Sequence, residues 1–410
     1  MPESTLVESS TTNNLEPARP YIGGQAVLEG VMMRAPTSLA VVVRRRDGSL
    51  HVRERGMPHG PKGWAKLPLA RGVASLVESL RLGNEALQFS AELMMRDEDE
   101  ANKTNEASRP PKSGGGLGAA MLNVLRAAGY TLFLLASTDP EDASRDSAAP
   151  GPRASGTSDE KNVSSEKSGS RAPMTLTLVF MVAIMIALPQ FGAEMLNRAL
   201  KLNLDVQSPA FQALTGGFKL FIVIGYLLAV RTVFSDIRRV FQYHGAEHKT
   251  ISTYEARLPL TVENARKQTT LHPRCGTTFL VMVALVSIGV FTIVGQFLPR
   301  IHTSSTALDN VVFFFEKLPF LPLIAAVTFE IQRVFARFCT TGPLRALLWP
   351  GFLCQKITTI EPDDSQLEVA LASLRVTLFR ENGEEKGAGE DVRYANFEAL
   401  MKAPTLRRAR

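Results

Sequence analysis

Long apolar runs and long polar segments alternate along this chain, and the contrast between them predicts its architecture. The apolar runs lie at residues 174–197, 211–234, 277–298 and 311–331. A helix needs about 20 apolar residues to cross the hydrocarbon core of a bilayer, and these runs approach or reach that length. The pattern therefore predicts a mainly α, polytopic helical membrane protein with about four spans, arranged as two pairs at 173–234 and 277–331.

The segment before these runs has the periodicities of a small domain in water. Residues 22–55 carry strand patterns on both sides of Asp47-Gly48, a dipeptide typical of hairpin turns. Residues 66–95 place apolar side chains at helical spacing among Arg, Glu and Gln. We therefore predict a small cytoplasmic α+β domain over residues 21–96.

Three further segments are too polar to bury a core. The composition predicts a disordered tail at residues 1–20, a linker or insert at 97–172, and a polar tail at 381–410. Within the insert, the apolar segment 117–136 has Arg126 near its middle, which costs roughly 2.5–3.5 kcal/mol in a membrane span. We therefore expect 117–136 to lie at the interface or against the helical bundle rather than to cross the bilayer.

The basic residues cluster beside the apolar runs, and this distribution predicts the orientation. Residues 235–276 contain seven Lys and Arg, whereas 298–310 contain only Arg300. Because basic loops remain in the cytoplasm, the N-terminal domain, the 235–276 loop, the 332–380 region and both termini are predicted to be cytoplasmic. The net charge of +6 then indicates the lipid bilayer, and not nucleic acid, as the partner.

The 235–276 loop contains the motif His244-Gly-Ala-Glu247-His248. On a helix the two imidazoles lie on one face and can bind one metal ion, while Glu247 beside them can act as a general base. The order His-x-x-Glu-His is that of the inverted zincins. The alternative is an amphipathic juxtamembrane helix whose polar residues face lipid headgroups.

A metal ion needs a third ligand, and two residues downstream can supply it. Glu255 lies roughly 10 Å along the helix axis from His248, which is too far. His272 and Cys275 are three residues apart before the third apolar run, and nitrogen and sulfur ligands favour zinc. Cys275 also lies near a helix N-terminus beside Arg274, which favours a thiolate, so nucleophile and purely structural roles remain alternatives.

The glycine-rich stretch 23–34 is the other unusual segment. Glu29 is an acidic residue among apolar neighbours, and Arg34 ends the stretch. Either side chain can line the same site as the histidines, or the stretch is a strand with turn glycines and a solvent-facing acid. The three cysteines form no Cys-x-x-Cys pair, which argues against a disulfide framework.

Several stretches together resemble one known family. They lie at 23–34, 241–249, 258–264, 272–276, 349–352 and 358–362. Their residues and order are similar to the YqhQ-like family of bacterial membrane proteins (DUF1385), over most of residues 21–375 apart from the insert. The resemblance implies a bacterial inner-membrane protein and a predicted metal-dependent enzyme of unknown substrate. It carries over the motif at 244–248 and the pair His272 and Cys275.

Two functions follow as expectations. The first is a metal-dependent enzyme, a hydrolase at the cytoplasmic face, with zinc on His244, His248 and either His272 or Cys275, and with Glu247 as base. The second is a scaffold or transport component in which the metal only locks the loop to the bundle. A site with an open coordination position favours the first, and a closed four-ligand site favours the second.

Overall fold

The structure is a computed structural model, and it describes residues 19–57, 67–105, 187–299, 306–339, 342–383 and 391–403. Three sequence predictions lie wholly or largely outside those residues. They concern the disordered tail at 1–20, the insert at 97–172 with its segment 117–136, and most of the first apolar run at 174–197. The described start of the insert, up to Asn105, is helical.

Five antiparallel strands form one sheet in chain order. They are β1 (Gly23–Val27), β2 (Gly30–Arg34), β3 (Ser38–Arg44), β4 (Leu50–Gly56) and β5 (Val392–Tyr394). The expected turn joins β3 to β4, with Gly48 at φ 83°, a left-handed conformation that glycine adopts without steric cost. The strand signals over 22–55 are thus confirmed as four strands.

The helices are α1 (Ala70–Asn105), α2 (Leu188–Ala199), α3 (Pro209–Val233), α4 (Ser235–Glu255), α5 (Val262–Arg266), α6 (Gly276–Val294), α7 (Thr306–Lys317), α8 (Leu321–Phe338), α9 (Trp349–Thr358), α10 (Asp364–Asn382) and α11 (Phe397–Lys402). Short 3-10 turns extend α6 to Phe297, join α7 to α8 and precede α9. The 235–276 segment, expected to connect two apolar runs and to be helical at the histidine motif, contains the helices α4 and α5.

Strand β5 lies within the segment 381–410, which the composition predicts to be a polar tail. Val392 pairs with Val52 and Tyr394 with Leu50, so β5 covers the outer edge of β4. The adjoining ion pair of Asp391 with Arg53 has a contact of 2.6 Å. A three-residue strand is too short to show an alternating pattern, but it satisfies backbone groups at an otherwise open edge.

The sheet of the predicted α+β domain at 21–96 is covered on both faces. Helix α1 packs on one face through Leu82, Ala86, Phe89 and Leu93. Helices α4 and α10 pack on the other face and form the largest buried cluster with it. Because residues 41–43 of β3 are all buried, the sheet needs an apolar partner on each side, and the C-terminal half of the chain supplies one of them.

Three apolar stretches of helix are long enough to cross a membrane: Pro209–Val233, Gly276–Phe297 and Val311–Phe335. They correspond to the second, third and fourth runs predicted from the sequence. Of the first run, the structure describes the end, where α2 packs against α3. Helix α3 leads directly into α4, so the apolar bundle and the sheet are joined at the start of the histidine-bearing helix.

Candidate metal centre

Helix α4 holds His244, Glu247 and His248 in the interior of the protein. Their exposed fractions are 2%, 5% and 2%. All residues from 243 to 251 are buried, since α4 packs against strand β1 and against its helical neighbours α3, α5 and α10. A juxtamembrane helix that faces headgroups would expose one polar side, so this burial argues against that alternative.

Main-chain carbonyls fix both imidazole rings. The Nδ1 of His244 lies 3.0 Å from the carbonyl oxygen of Thr358, and the Nδ1 of His248 lies 2.5 Å from that of Thr270. A carbonyl oxygen can only accept a hydrogen bond, so each Nδ1 is the donor and each Nε2 keeps its lone pair. Histidines that ligate metals are commonly oriented by such a hydrogen bond from the other ring nitrogen.

Cys275 completes a group of three potential ligands. Its Sγ lies 3.2 Å from the Nε2 of His244, and the ligand atoms of His244, His248 and Cys275 all lie within 4.8 Å of one another. Tetrahedral zinc with bonds of 2.0–2.3 Å separates its ligand atoms by about 3.3–3.7 Å. Small rotations of these side chains would therefore bring two nitrogens and one sulfur to one ion.

Burial sets the protonation of these groups. Desolvation lowers the pKa of His244 to about 4 and that of His248 well below its ordinary value, so both imidazoles are neutral and able to bind a metal. Desolvation also raises the pKa of the Cys275 thiol, although its Sγ accepts a hydrogen bond from the Thr277 amide. Metal coordination deprotonates such a thiol, whereas a nucleophile needs a lowered pKa, so the ligand role fits better.

Arg274, which we expected to favour a thiolate at Cys275, forms an ion pair with Glu255, and its guanidinium lies over the ring of Tyr21. Cys275 is the N-cap residue of α6 and so lies at the expected helix N-terminus.

His272 lies beside the cluster and not within it. Its Nε2 is 3.3 Å from a carboxylate oxygen of Glu255, and its ring centroid is 5.6 Å from that of His248. Gln355 holds its main chain, accepting from the amide at 2.9 Å and donating to the carbonyl at 2.8 Å. Of the two candidate third ligands, the structure brings Cys275 to the histidines and places His272 in the surrounding layer.

Glu247 precedes His248 on α4 and is buried beside strand β1. After desolvation, its negative charge is a further cause that raises the pKa of the Cys275 thiol. On strand β1 its neighbour is Gly24, where an added Cβ would lie 2.8 Å from Cγ and Oε1 of Glu247. A glycine within a strand often marks such a close approach, and here it leaves room for the acidic side chain.

Glu29 and Arg34 do not line the cluster. Glu29, at φ 50° in the turn between β1 and β2, forms an ion pair with Arg239 and accepts a hydrogen bond of 3.2 Å from Tyr243. Arg34 pairs with Glu78 of α1 at 3.3 Å. Glu29 therefore attaches α4 to the hairpin, one helical turn before the ligands, and Arg34 attaches the sheet to α1.

The sequence profile of the family described as "Protein of unknown function (DUF1385)" matches residues 67–379. The chain belongs to the DUF1385 family. It is also 30% identical over 361 residues to the "Uncharacterized protein YqhQ" of Bacillus subtilis (strain 168), covering 88% of this chain and 92% of that protein. No solved structure matches the chain.

Sequence reasoning missed several residues that shape the site of this DUF1385 member. The carbonyls of Thr270 and Thr358 orient the histidines, and the buried amide of Gln355 ties His272 to Thr278 through a 3.0 Å hydrogen bond. A main-chain carbonyl leaves no side-chain signal in a sequence. Gln355 leaves only a weak signal, because its complete burial in α9 becomes visible only in the structure.

Proposed function

We propose that this DUF1385 protein is a metal-dependent hydrolase of the bacterial inner membrane, with zinc as the metal. One observation carries the proposal: two carbonyl-anchored imidazoles and one thiol converge in the interior, beside a carboxylate. The described residues offer three ligands and not four, because His272 is turned toward Glu255. Three protein ligands with one open position are typical of catalytic zinc, while closed four-ligand sites are typical of structural zinc.

We place the apolar stretches across the bilayer, with the metal centre at the cytoplasmic face. Large side chains on these stretches are exposed, including Phe221 at 74% and Ile293 at 63%, as expected for contact with lipid. Cys275 lies at the beginning of α6, where the apolar stretch Gly276–Phe297 starts. The basic residues of 235–276 favour the cytoplasm for this end of the bundle.

The residues of the proposed metal centre would have different roles in hydrolysis. His244, His248 and Cys275 would hold the ion, which when bound polarises a carbonyl or phosphoryl oxygen and makes a water molecule acidic. Glu247 would accept the proton of the attacking water and return it to the leaving group. The hydrogen bonds to Thr270 and Thr358 keep both Nε2 atoms unprotonated and aimed at one point.

The position of the centre suggests the substrate class. An active site where an apolar stretch begins can reach a group at the depth of the lipid headgroups. A lipid or a membrane peptide with a hydrolysable ester, amide or phosphoester bond is therefore the substrate class that we favour.

A structural role for the metal is the alternative, and the burial of the ligands favours it. An ion on His244, His248 and Cys275 would tie α4 to α6, and so the sheet to the bundle, whether or not any reaction took place. In this case Glu247 would have no chemical role.

The variant Glu247→Gln separates the two functions, with His248→Ala as the matched comparison. A hydrolase predicts that Glu247→Gln retains one metal ion per chain, keeps its thermal stability and yet changes the lipids or membrane peptides of producing cells as a deletion does. A structural site predicts that Glu247→Gln behaves as wild type while His248→Ala loses metal and stability. Metal analysis of detergent-purified protein, thermal unfolding and comparative lipid and peptide profiling supply the readouts.

A further inference from the structure

Two lysines lie inside the apolar bundle, far along the sequence from the histidine motif. Lys219 is in the middle of α3, and Lys317 lies within the apolar stretch Val311–Phe335. The Nζ of Lys219 donates to Ser287 at 3.0 Å, and the Nζ of Lys317 donates to Gln190 at 3.0 Å. Ionisable groups at this depth in a membrane are costly, so they usually mark a binding site or a path for ions.

Both lysines line one cavity. It has a volume of about 20 Å³, and its lining also includes Ser287 and Phe291. The Nζ of Lys317 also lies 4.4 Å from the ring centroid of Phe313 and 5.3 Å from that of Phe291, in cation–π contact. A cavity needs about 10–15 Å³ to hold one water molecule, so this cavity accommodates one water molecule or one ion of slightly larger size.

Among the described residues, neither lysine forms an ion pair with a carboxylate. Asp309 of α7 lines a different cavity, together with Glu194 and Arg198. Helices α3 and α6 contain no Asp or Glu. On α2, Glu194 forms an ion pair with Arg198 at 2.6 Å, and on α8, Glu330 pairs with Arg71 at 2.5 Å. Glu316 precedes Lys317, but consecutive side chains on a helix point about 100° apart.

The partners of the two lysines are neutral oxygens. The Ser287 hydroxyl donates to the carbonyl of Ala284 at 2.7 Å, so it accepts from Lys219. An ammonium has three N–H donors, and each lysine uses one of them in these side-chain bonds. Two positive groups at one small cavity repel each other, and an anion between them would convert that repulsion into two charge-assisted hydrogen bonds.

We infer that this cavity binds one small monovalent inorganic anion of the size of chloride, held between Lys219 and Lys317. The volume excludes a lipid phosphate or an organic carboxylate. The site is independent of the proposed metal centre, because none of its residues takes part in that centre. An intramembrane anion would also fix α2, α3, α6 and the α7–α8 junction to one another.

Binding of radioactive chloride to full-length protein in lipid nanodiscs tests this inference. We expect saturable binding of one chloride per chain, with competition by bromide and none by the larger gluconate. Lys219→Met and Lys317→Met should each weaken binding about tenfold or more, as for the loss of a charge-assisted hydrogen bond. Lys267→Met, which removes an exposed lysine paired with Glu263, is the matched control and should bind as wild type.

Two outcomes would overturn the inference: the absence of saturable chloride binding, or equal affinity in wild type and both buried-lysine variants. If those variants fail to fold, crystals of the wild-type protein still test whether the cavity binds an anion. Crystals grown in bromide should show an anomalous peak within hydrogen-bond distance of both Nζ atoms, and a cavity without that peak holds water only.

Discussion

Gly245 lies between His244 and His248, the two residues of α4 that we propose as metal ligands, and its replacement by alanine tests how these rings are positioned. An added Cβ would overlap the carbonyl oxygen of Ile360 and lie 3.3 Å from its carbon and 3.4 Å from Cδ of Pro362. The obstacle is main chain, which cannot rotate away. The variant must therefore separate α4 from residues 358–362.

The structure gives the size of the effect. Alanine gains about 1 kcal/mol over glycine in a helix, which opposes the damage. Overpacking of this kind costs about 1–3 kcal/mol. Separation also weakens two hydrogen bonds, Ile360 N–H to Phe241 and His244 Nδ1–H to Thr358, each contributing about 0.5–1.5 kcal/mol. We expect a net loss of about 1–5 kcal/mol in the free energy of unfolding, together with weaker zinc binding, since His244 loses its orientation.

Thermal unfolding and zinc titration of the purified full-length protein provide the assay. Gly225→Ala is the matched control, because a Cβ at this exposed helical position meets nothing within 4 Å and should stabilise the protein by about 0.5–1 kcal/mol. Gly245→Ala should unfold several degrees below wild type and bind zinc more weakly. If it matches Gly225→Ala in both measurements, the proposed anchoring of His244 is refuted.

Three further predictions concern the same site. Zinc affinity should rise about tenfold per pH unit near neutrality, because zinc binding releases the proton of the buried Cys275 thiol. Cys275→Ser should flatten this pH dependence, and equal slopes in wild type and variant would contradict the prediction. The metal-free protein should lose stability as the pH falls from 6.5 toward 4, because His244 and His248 take up protons in the unfolded chain but stay neutral in the folded protein. Thermal unfolding of chelator-treated protein at each pH measures this loss, and a stability that does not change with pH would contradict the prediction. Gly24→Ala should lower the free energy of unfolding by about 1–3 kcal/mol, because the new Cβ overlaps the side chain of Glu247. Adding Glu247→Ala should restore most of that loss, and full additivity in the double-mutant cycle would show that residues 24 and 247 do not touch.

Patterns among neighbouring residues are enough to predict the hairpin, the apolar helices and the pairing of His244 with His248 on one helix face. The i, i+4 spacing of His244 and His248 is enough to place both rings on one face of a helix, and the Asp47-Gly48 turn is enough to predict a hairpin. Apolar runs of membrane-spanning length need no tertiary information either. These features depend only on residues that are near one another in the chain.

The rest of the site depends on packing between distant segments. Cys275 and His272 are three residues apart and equally plausible as ligands in the sequence. The contact of His272 with Glu255 and its two main-chain hydrogen bonds with Gln355, one accepted and one donated by the amide side chain, hold it away from the other two histidines. The same holds for β5 and α10, which reach the sheet from the C-terminal end of the chain. Sequence spacing carries no information about such contacts.

X-ray absorption at the zinc edge reports the atoms bound to the metal in the full-length protein. We expect one sulfur at about 2.3 Å and nitrogen ligands at about 2.0–2.1 Å. Cys275→Ser should remove the sulfur contribution, His244→Ala/His248→Ala should abolish zinc binding, and His272→Ala should leave the spectrum unchanged. A spectrum without sulfur, or zinc retained in the double histidine variant, would contradict the convergence of these three side chains on one ion.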